Sequence, residues 1–194
     1  MAATPSTMIP LGTDMPGFAL TDAVSGKLVR SSEHTSGKKA IVVMFICNHC
    51  PYVKHVRAEL AKLARDYAPK GVAFFAISSN DINKYPDDGP EMMKREAAEA
   101  GYTFPYLFDE DQSIAKVYCA ACTPDFFIFN AKGKLHYRGQ LDSSRPGSGI
   151  PVTGKDVREA LDLALRNGFP PERQMPSIGC NIKWKPGNEP EYAR

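Results

Sequence analysis

The chain has 194 residues, which suits one domain with extensions, and an apolar fraction of 43% is sufficient for a buried core. The formal net charge is only +2, with no basic block or stripe, so the sequence lacks the electrostatic pattern of a nucleic-acid-binding protein. No window approaches the ~18 apolar residues of a membrane span, and residues 1–11 lack the basic start and apolar core of a secretory signal. We therefore predict a cytoplasmic protein with no nucleic-acid and no membrane partner.

The amino-terminal segment predicts a lead-in, a hairpin and a covered strand. Residues 1–17 contain three prolines and are interpreted as an extended lead-in. Short apolar runs at 18–20 and 27–29 flank a Ser-Gly turn, which indicates a small β-hairpin. Residues 40–46 are apolar throughout, without polar alternation, and this pattern is typical of a central strand covered on both faces of its sheet.

A pair of cysteines follows this strand directly, in the sequence Cys47-Asn48-His49-Cys50. Behind it, residues 52–67 repeat apolar side chains at the helical period, so we predict an amphipathic helix. Two thiols at this spacing beside a helix start can close a disulfide ring or share a metal ion. The chain has five cysteines, an odd number at uneven spacing, unlike the disulfide framework of a secreted domain. In a reducing cytosol such a pair is more often catalytic or metal-binding than structural.

The remaining segments predict a second covered strand, three helices, a hairpin and an irregular tail. We expect, in chain order, a strand at 72–77, a helix at 91–100, an extended segment at 104–108, a helix ending at 118, a hairpin of 126–129 with 135–138, and a helix at 156–167 capped by Thr153. Strand, helix and strand within about forty residues imply a right-handed parallel crossover. The tail, 168–194, has five prolines and no period, but it contains Ile182 and Trp184, so we expect it to pack on the body of the domain.

This order of elements resembles the thioredoxin-like fold, and within it the redoxin branch, which includes alkyl hydroperoxide reductase/thiol-specific antioxidant proteins and TlpA- and ResA-type oxidoreductases. The matching pieces are residues 45–51, 104–109 and 123–127. The resemblance covers roughly residues 15–167. It implies an α/β fold with a central mixed β-sheet flanked by helices and an amino-terminal β-hairpin. Residues 1–167 would form this redoxin domain, and residues 168–194 would be an extended tail packed on it.

The resemblance further implies a thiol–disulfide oxidoreductase with an antioxidant role and no cofactor. Cys47 is the expected nucleophile, because the amino end of a helix lowers the pKa of a thiol at its cap. Cys50, one turn into the helix and more buried, is expected to resolve the mixed disulfide. Between them, a cationic His49 would favour the thiolate, and Asn48 replaces the proline of the oxidising relatives. The expected partners are protein or low-molecular-weight disulfides and a dithiol reductant.

Thr123 and Pro124 are expected to support the pair through the same resemblance. Thioredoxin-like proteins place a cis-proline opposite the cysteines, and the backbone before it pairs with substrate, so we expect a cis Thr123-Pro124 bond. Cys122 would then lie near the pair, with Cys119 one helical turn earlier, and Cys180 could fold back as a third partner. Each of these three is either an accessory redox thiol or a buried core residue, and the sequence leaves both interpretations open.

The sequence departs from thioredoxins proper in residues around the pair. Ile46 stands where thioredoxins have tryptophan, and Ile41 stands where they have a buried aspartate. A proton relay must therefore come from other residues. The candidates are His49, Asn80, Asp81 and Asp125.

Two alternatives to the oxidoreductase stay open. A peroxiredoxin-type thiol peroxidase would need a Pro-x-x-x-Thr-x-x-Cys signature, but the positions before Cys50 hold Val43 and Cys47 instead of proline and threonine. A redox-sensing or metal-binding module would use the tail as a partner surface. Its ligands could come from Cys47, His49, Cys50, Cys119 and Cys122. The second cysteine pair runs straight into a Thr-Pro step without a knuckle turn, so we predict no metal.

Overall fold

The computed structural model describes residues 3–193; the first two residues of the predicted lead-in and the last residue of the tail lie outside this range. The described chain forms ten β-strands and five α-helices. The strands are β1 (Ala3–Pro5), β2 (Ala19–Asp22), β3 (Leu28–Arg30), β4 (Ala40–Phe45), β5 (Val72–Ser78), β6 (Tyr106–Phe108), β7 (Cys122–Thr123), β8 (Asp125–Asn130), β9 (Leu135–Gly139) and β10 (Ile178–Asn181). The helices are α1 (Ser31–Thr35), α2 (Pro51–Tyr67), α3 (Pro90–Ala100), α4 (Ser113–Val117) and α5 (Lys155–Leu165).

Seven strands form a central mixed sheet in the order β3-β2-β6-β5-β4-β8-β9. The neighbours β4, β5 and β6 run parallel, and the other pairs are antiparallel. Every residue of β4 and β5 is buried, as their unbroken apolar sequences predict for strands covered on both faces. The predicted crossover through α2, the β2–β3 hairpin and the β8–β9 hairpin are all confirmed.

Alternate residues of the central strands enter two apolar clusters, one on each face of the sheet. On one face, Met44 packs with the apolar sides of α2, α3 and α5. On the other, Phe45 packs with Tyr118 and with the tail residues Ile182 and Trp184. The tail therefore contributes to the core. Within residues 3–193, no helix is both long enough and apolar enough to cross a membrane.

The last helix begins differently from the prediction. Its N-cap is Gly154 in the left-handed conformation (φ 65°), and not Thr153. Both residues donate their backbone N–H groups to the carboxylate of Asp142, each at 2.7 Å. Because Asp142 lies in a loop outside the helical pattern, the periodicity of the helix alone could not place this start.

A second, three-stranded sheet brings both ends of the chain to the cysteine pair. Its order is β1-β10-β7, and both pairings are antiparallel. The strand β10 lies in the tail, where the sequence predicted no strand. Its residue Cys180 is opposite Thr123 of β7 on one side and Ala3 of β1 on the other. The tail therefore reaches the site by backbone pairing as well as by apolar packing.

Candidate active site

Cys47 and Cys50 lie in the connection between β4 and α2, and both are buried, with 1% and 0% of their surfaces exposed. The helix begins at Pro51, and Cys50 is its N-cap with extended backbone (φ −68°, ψ 122°). Proline suits the first helical position, because the N–H that it lacks would have no partner within the helix. The cap is thus occupied by Cys50 and not, as expected from the sequence, by Cys47. All five cysteines are unpaired.

Cys50 has the most acidic thiol of the pair. Its pKa is lowered to about 4, and the hydrogen bond from the Cys47 thiol is the largest cause. Burial raises the pKa, but hydrogen bonds from Cys180, from Thr123 and from the backbone N–H of Val53 lower it further. The Val53 N–H belongs to the first turn of α2, where backbone donors have no partner inside the helix. The surroundings of Cys50 therefore favour its thiolate over that of Cys47.

Cys47 is the protonated member of the pair. Its pKa is raised well above the usual value, mainly by the interaction with Cys50, then by burial and by the nearby charge of Asp88. A hydrogen bond from Thr123 opposes this shift without reversing it. Two adjacent buried sulfurs do not ionise together, because the second charge would face the first in a medium of low polarity.

Thr123 contacts both sulfurs from the strand β7. Its hydroxyl lies 3.3 Å from Cys47 Sγ, and its carbonyl oxygen lies 3.2 Å from Cys50 Sγ. The following bond, Thr123-Pro124, is a cis peptide, as the resemblance implied. The structure therefore brings Thr123 against the cysteine pair, with the cis bond to Pro124 directly after it.

Asp88 organises the loop between the two cysteines, although the sequence did not single it out. Its Oδ1 accepts the backbone N–H groups of Asn48 at 2.8 Å and His49 at 3.2 Å. Its Oδ2 contacts His49 Nδ1 at 2.5 Å and accepts from Asn80 Nδ2 at 2.8 Å. Burial disfavours the charge, but these hydrogen bonds outweigh it and lower the pKa of Asp88. A fully buried carboxylate is thus held ionised beside Cys47.

The two residues between the cysteines have defined surroundings. Asn48 donates its side-chain amide to the carbonyl of Asp87 and accepts from the Tyr106 hydroxyl at 2.9 Å. The His49 ring stacks on Tyr85, with centroids 5.0 Å apart and planes 15° from parallel. His49 Nε2 is buried, and among the described residues it has no hydrogen-bond partner. The loop is therefore held by specific contacts and not by a proline.

The four predicted relay candidates lie in different places. His49 and Asn80 both bond to Asp88. Asp81 instead accepts the backbone N–H of Asn83 and is buried. Asp125 lies beyond the cis-proline, fully buried, and burial raises its pKa to about 7.

The charges of Asp125 and Asp88 act on different cysteines. The Asp125 carboxyl accepts the hydroxyl of Ser6 at 2.7 Å, and it lies close enough to Cys122 for its charge to raise the pKa of that thiol. The charge of Asp88 instead acts on Cys47. The parallel strands β4 and β5 end at the same edge of the sheet, so the loop after β5 meets the cysteine loop. That topology is the signal that could have pointed to Asp88.

One group of side chains has the spacing of a metal site. Ligand atoms of Cys47, His49 and Asp88 lie within 4.8 Å of one another. However, His49 Nδ1 and Asp88 Oδ2 are at hydrogen-bonding distance, and the other carboxylate oxygen faces backbone N–H groups. N–H donors aimed at the carboxylate satisfy it without a cation, so this donor set does not fit a metal ion. Neither Cys119 nor Cys122 belongs to this group in the described part of the chain.

The three further cysteines differ in their distance from the pair. Cys180 Sγ lies 2.9 Å from Cys50 Sγ. Cys122 is buried, and its sulfur is 3.8 Å from the carbonyl oxygen of Pro124. Cys119 is half-buried with a positive φ of 50°. Burial is the main cause that raises the pKa of both Cys119 and Cys122. The structure thus brings Cys180, and not Cys119 or Cys122, against the sulfur of Cys50.

The chain is similar to a protein family and to solved structures. Residues 10–157 match the model of the Redoxin family. An uncharacterized conserved protein from Geobacillus kaustophilus is 59% identical, with a TM-score of 0.94 over 96% of this chain and 98% of that one. A hypothetical protein from Sinorhizobium meliloti 1021 is 47% identical, with a TM-score of 0.92 over 95% and 100%. No curated protein matches.

A more distant structure shares the fold. It is a thiol:disulfide interchange protein of the thioredoxin family from Chlorobium tepidum, 17% identical, with a TM-score of 0.61 over 81% of this chain and 99% of that one. The predicted thioredoxin-like fold and the predicted redoxin resemblance are therefore confirmed.

Proposed function

Because the chain belongs to the Redoxin family, we propose that it is a thiol–disulfide oxidoreductase whose redox pair is Cys47 and Cys50. One observation carries this proposal: a single residue, Thr123, contacts both sulfurs, at 3.3 Å and 3.2 Å, at the start of a helix. Membership of the family supports a thiol redox role in general. The pKa values of the two thiols differ, which supports different roles for them in the reaction.

In the proposed reaction Cys47 attacks the substrate and Cys50 resolves the intermediate. The sulfur of Cys47 bonds to one sulfur of a disulfide, and its proton leaves with the other substrate sulfur as a thiol. The Cys50 thiolate then bonds to Cys47 Sγ and expels the remaining substrate sulfur as a thiolate. The pair ends as a disulfide, and the substrate has gained two electrons. The low pKa of Cys50 serves the second step, because the resolving group is already ionised when the mixed disulfide forms.

Trapping by mass spectrometry tests both the reaction and the order of attack. In Cys50→Ser the resolving sulfur is absent, so mixed disulfides with substrate should accumulate on Cys47. In the matched Cys47→Ser variant, the same incubation should leave fewer adducts. Adducts on neither variant would contradict the oxidoreductase. Adducts only on Cys50 of Cys47→Ser would reverse the two roles.

A thiol peroxidase is the second candidate, favoured by the Thr123 hydroxyl beside Cys47 Sγ. A hydroxyl in this place could donate to a bound peroxide, although it comes from a distant strand and not from the sequence signature. The raised pKa of Cys47 disfavours the attacking thiolate in this reaction and in the oxidoreductase alike, so it does not separate the two functions. Against the peroxidase stands the missing Pro-x-x-x-Thr-x-x-Cys signature, because Val43 and Cys47 occupy the proline and threonine positions before Cys50. Peroxide consumption by the reduced protein, compared with that of Thr123→Val, measures the activity.

The main proposal, the oxidoreductase, includes the partners and location predicted from the sequence. These are protein or small disulfide substrates, a dithiol reductant and a cytoplasmic location.

A further inference from the structure

The tail strand β10 lies directly over the cysteine pair. Cys180 pairs with Thr123 in the antiparallel register, and Asn181 pairs with Cys122. Cys180 is buried, with 2% of its surface exposed, and its sulfur is 2.9 Å from Cys50 Sγ. This distance is longer than the ~2.05 Å of a disulfide bond, but two sulfur atoms that are not bonded rarely approach so closely. Cys50 Sγ is thus in contact with a third thiol from the far end of the chain.

A glycine allows this close approach. A Cβ atom on Gly179 would lie 2.0 Å from the carbonyl oxygen of Thr123 and 2.6 Å from its carbonyl carbon. No side chain fits at that distance, so only glycine lets the strand lie against the peptide that precedes Pro124. The contact between the two sulfurs therefore depends on a specific feature of the tail sequence.

The strand is also anchored at both ends. Before it, the Ser177 hydroxyl donates to the carbonyl oxygen of Pro124 at 2.5 Å. After it, the Lys183 backbone N–H donates to Asn80 Oδ1 at 2.8 Å. Asn80 in turn donates to Asp88, which holds the loop between the two cysteines. Cys180 is therefore fixed relative to the pair by contacts on both sides.

We propose that Cys180 is a third redox-active cysteine, which takes over the disulfide from Cys47. The Cys180 thiolate attacks Cys50 Sγ of the Cys47–Cys50 disulfide, a Cys50–Cys180 bond forms, and Cys47 leaves as a thiolate. The proton lost by Cys180 ends on Cys47, and no electrons enter or leave the protein. This step rests on the proposed function only for the origin of the first disulfide. An external dithiol then reduces Cys50–Cys180.

The charges around the sulfurs favour exchange at Cys50. Burial is the main cause that raises the pKa of Cys180, and the interaction with Cys50 is the second. When Cys50 is part of a disulfide it carries no charge, so that second cause disappears and Cys180 ionises more readily. Burial and the charge of Asp88 still raise the pKa of Cys47 when Cys50 is neutral, so Cys47 takes up the proton after it leaves as a thiolate. Formation of the Cys47–Cys50 disulfide therefore makes the Cys180 thiolate easier to form, and that thiolate is the group that attacks Cys50.

Peptide mapping tests the proposal, because trypsin separates the relevant cysteines. Cys47 and Cys50 share the peptide 40–54, Cys119 and Cys122 share the peptide 117–132, and Cys180 lies in the peptide 174–183. The full-length protein is treated with one equivalent of diamide, quenched in acid at successive times, alkylated and digested. In wild type, an internal disulfide in 40–54 should appear first, and a cross-link between 40–54 and 174–183 should follow as it decays.

Three variants make the outcome decisive. Cys47→Ser should form the cross-link directly, and Cys180→Ser should lose it to background while it retains the internal disulfide. Cys119→Ser, which removes a thiol away from Cys50, should form the cross-link at the wild-type rate. Absence of the cross-link in folded wild type and in folded Cys47→Ser, with far-ultraviolet circular dichroism as the check of folding, would overturn the proposal.

The same maps distinguish this proposal from the proposed function. An internal disulfide without a cross-link overturns the role of Cys180 and leaves the oxidoreductase unaffected. A cross-link that forms in Cys47→Ser, together with no internal disulfide in wild type, supports contact between Cys50 and Cys180 and contradicts the proposed redox pair.

Discussion

The thiolate at Cys50 makes the stability of the protein depend on pH. The pKa of Cys50 is about 4 in the folded protein, whereas a thiol in an unfolded chain has a pKa of ~8.5. Between these two values the folded protein carries a thiolate and the unfolded chain a thiol, so unfolding takes up one proton. The free energy of unfolding should therefore rise with pH across this range. The contribution of Cys50 is complete above the unfolded value and is lost as the pH falls towards about 4.

The magnitude follows from the number of protons. Uptake of one proton corresponds to a slope of ~1.4 kcal/mol per pH unit, so the Cys50 contribution should change by ~2.7 kcal/mol between about pH 6 and about pH 8. Asp88 also has a lowered pKa, but its contribution is lost only as the pH falls below the unfolded value of ~3.9, outside this interval. Cys47, with its raised pKa, stays protonated here in both states. Asp125, whose pKa is raised to about 7, also titrates in this interval, but it is present in both wild type and Cys50→Ser, so the difference between the two proteins isolates Cys50.

Urea unfolding under reducing conditions measures this contribution. The difference between wild type and Cys50→Ser should grow with pH by the stated amount, because only wild type contains the Cys50 thiol. Cys119→Ser is the matched control: burial raises the pKa of that thiol, so its difference from wild type should not change over the interval. Ultraviolet absorbance of the thiolate gives an independent titration. A difference for Cys50→Ser that stays constant with pH would refute the assignment of the charge to Cys50.

Three further substitutions test the contacts around the pair. Cys47→Ala removes the largest cause of the low pKa of Cys50, so the thiolate titration should move upwards; an unchanged midpoint would contradict the hydrogen bond between them. Asp88→Asn removes the charge that faces Cys47 and leaves N–H groups of the loop without a full partner, which should cost ~1–3 kcal/mol in urea unfolding; Asp87→Asn, at an exposed neighbour, is the control. Gly179→Ala should push β10 away from Thr123 and speed alkylation of the peptide 174–183 relative to wild type; equal rates would show that the strand tolerates a Cβ atom.

The parts of the site that the sequence predicted depend on local patterns. An unbroken apolar strand followed by two cysteines and an amphipathic helix placed the pair at the end of β4. The position of the N-cap was wrong, although a signal was present: Pro51 favours the first helical position, which makes Cys50 the cap. The hydrogen bond from Cys47 is the largest cause of the low pKa of Cys50, and the N-cap position adds a smaller one, the free backbone N–H of Val53.

The parts that the sequence did not predict depend on contacts between distant segments. Asp88 reaches Asn48 across 40 positions of the chain, and its own segment indicates only the start of a helix. Cys180 reaches Cys50 across 130 positions through a strand of four residues. A strand of this length is too short to show an alternation of apolar and polar residues, and its partners β1 and β7 are shorter still. Only the fold brings these segments together, which explains why Cys180 stayed an open alternative.

The position of β10 links access to the site with the state of the tail. A substrate sulfur must reach bonding distance of Cys47, but 1% of the surface of Cys47 is exposed. The backbone of Thr123, which the resemblance assigns to substrate pairing, is already paired with Cys180. Displacement of β10 would relieve both obstacles. It breaks the small β1-β10-β7 sheet and the anchoring hydrogen bonds of Ser177 and Lys183, while the seven-stranded sheet stays intact. Segments with few pairings open at a lower free energy than the core strands. Access to the pair and contact between Cys50 and Cys180 are therefore alternative states of one strand, so a disulfide between these two residues would hold the site in its closed state.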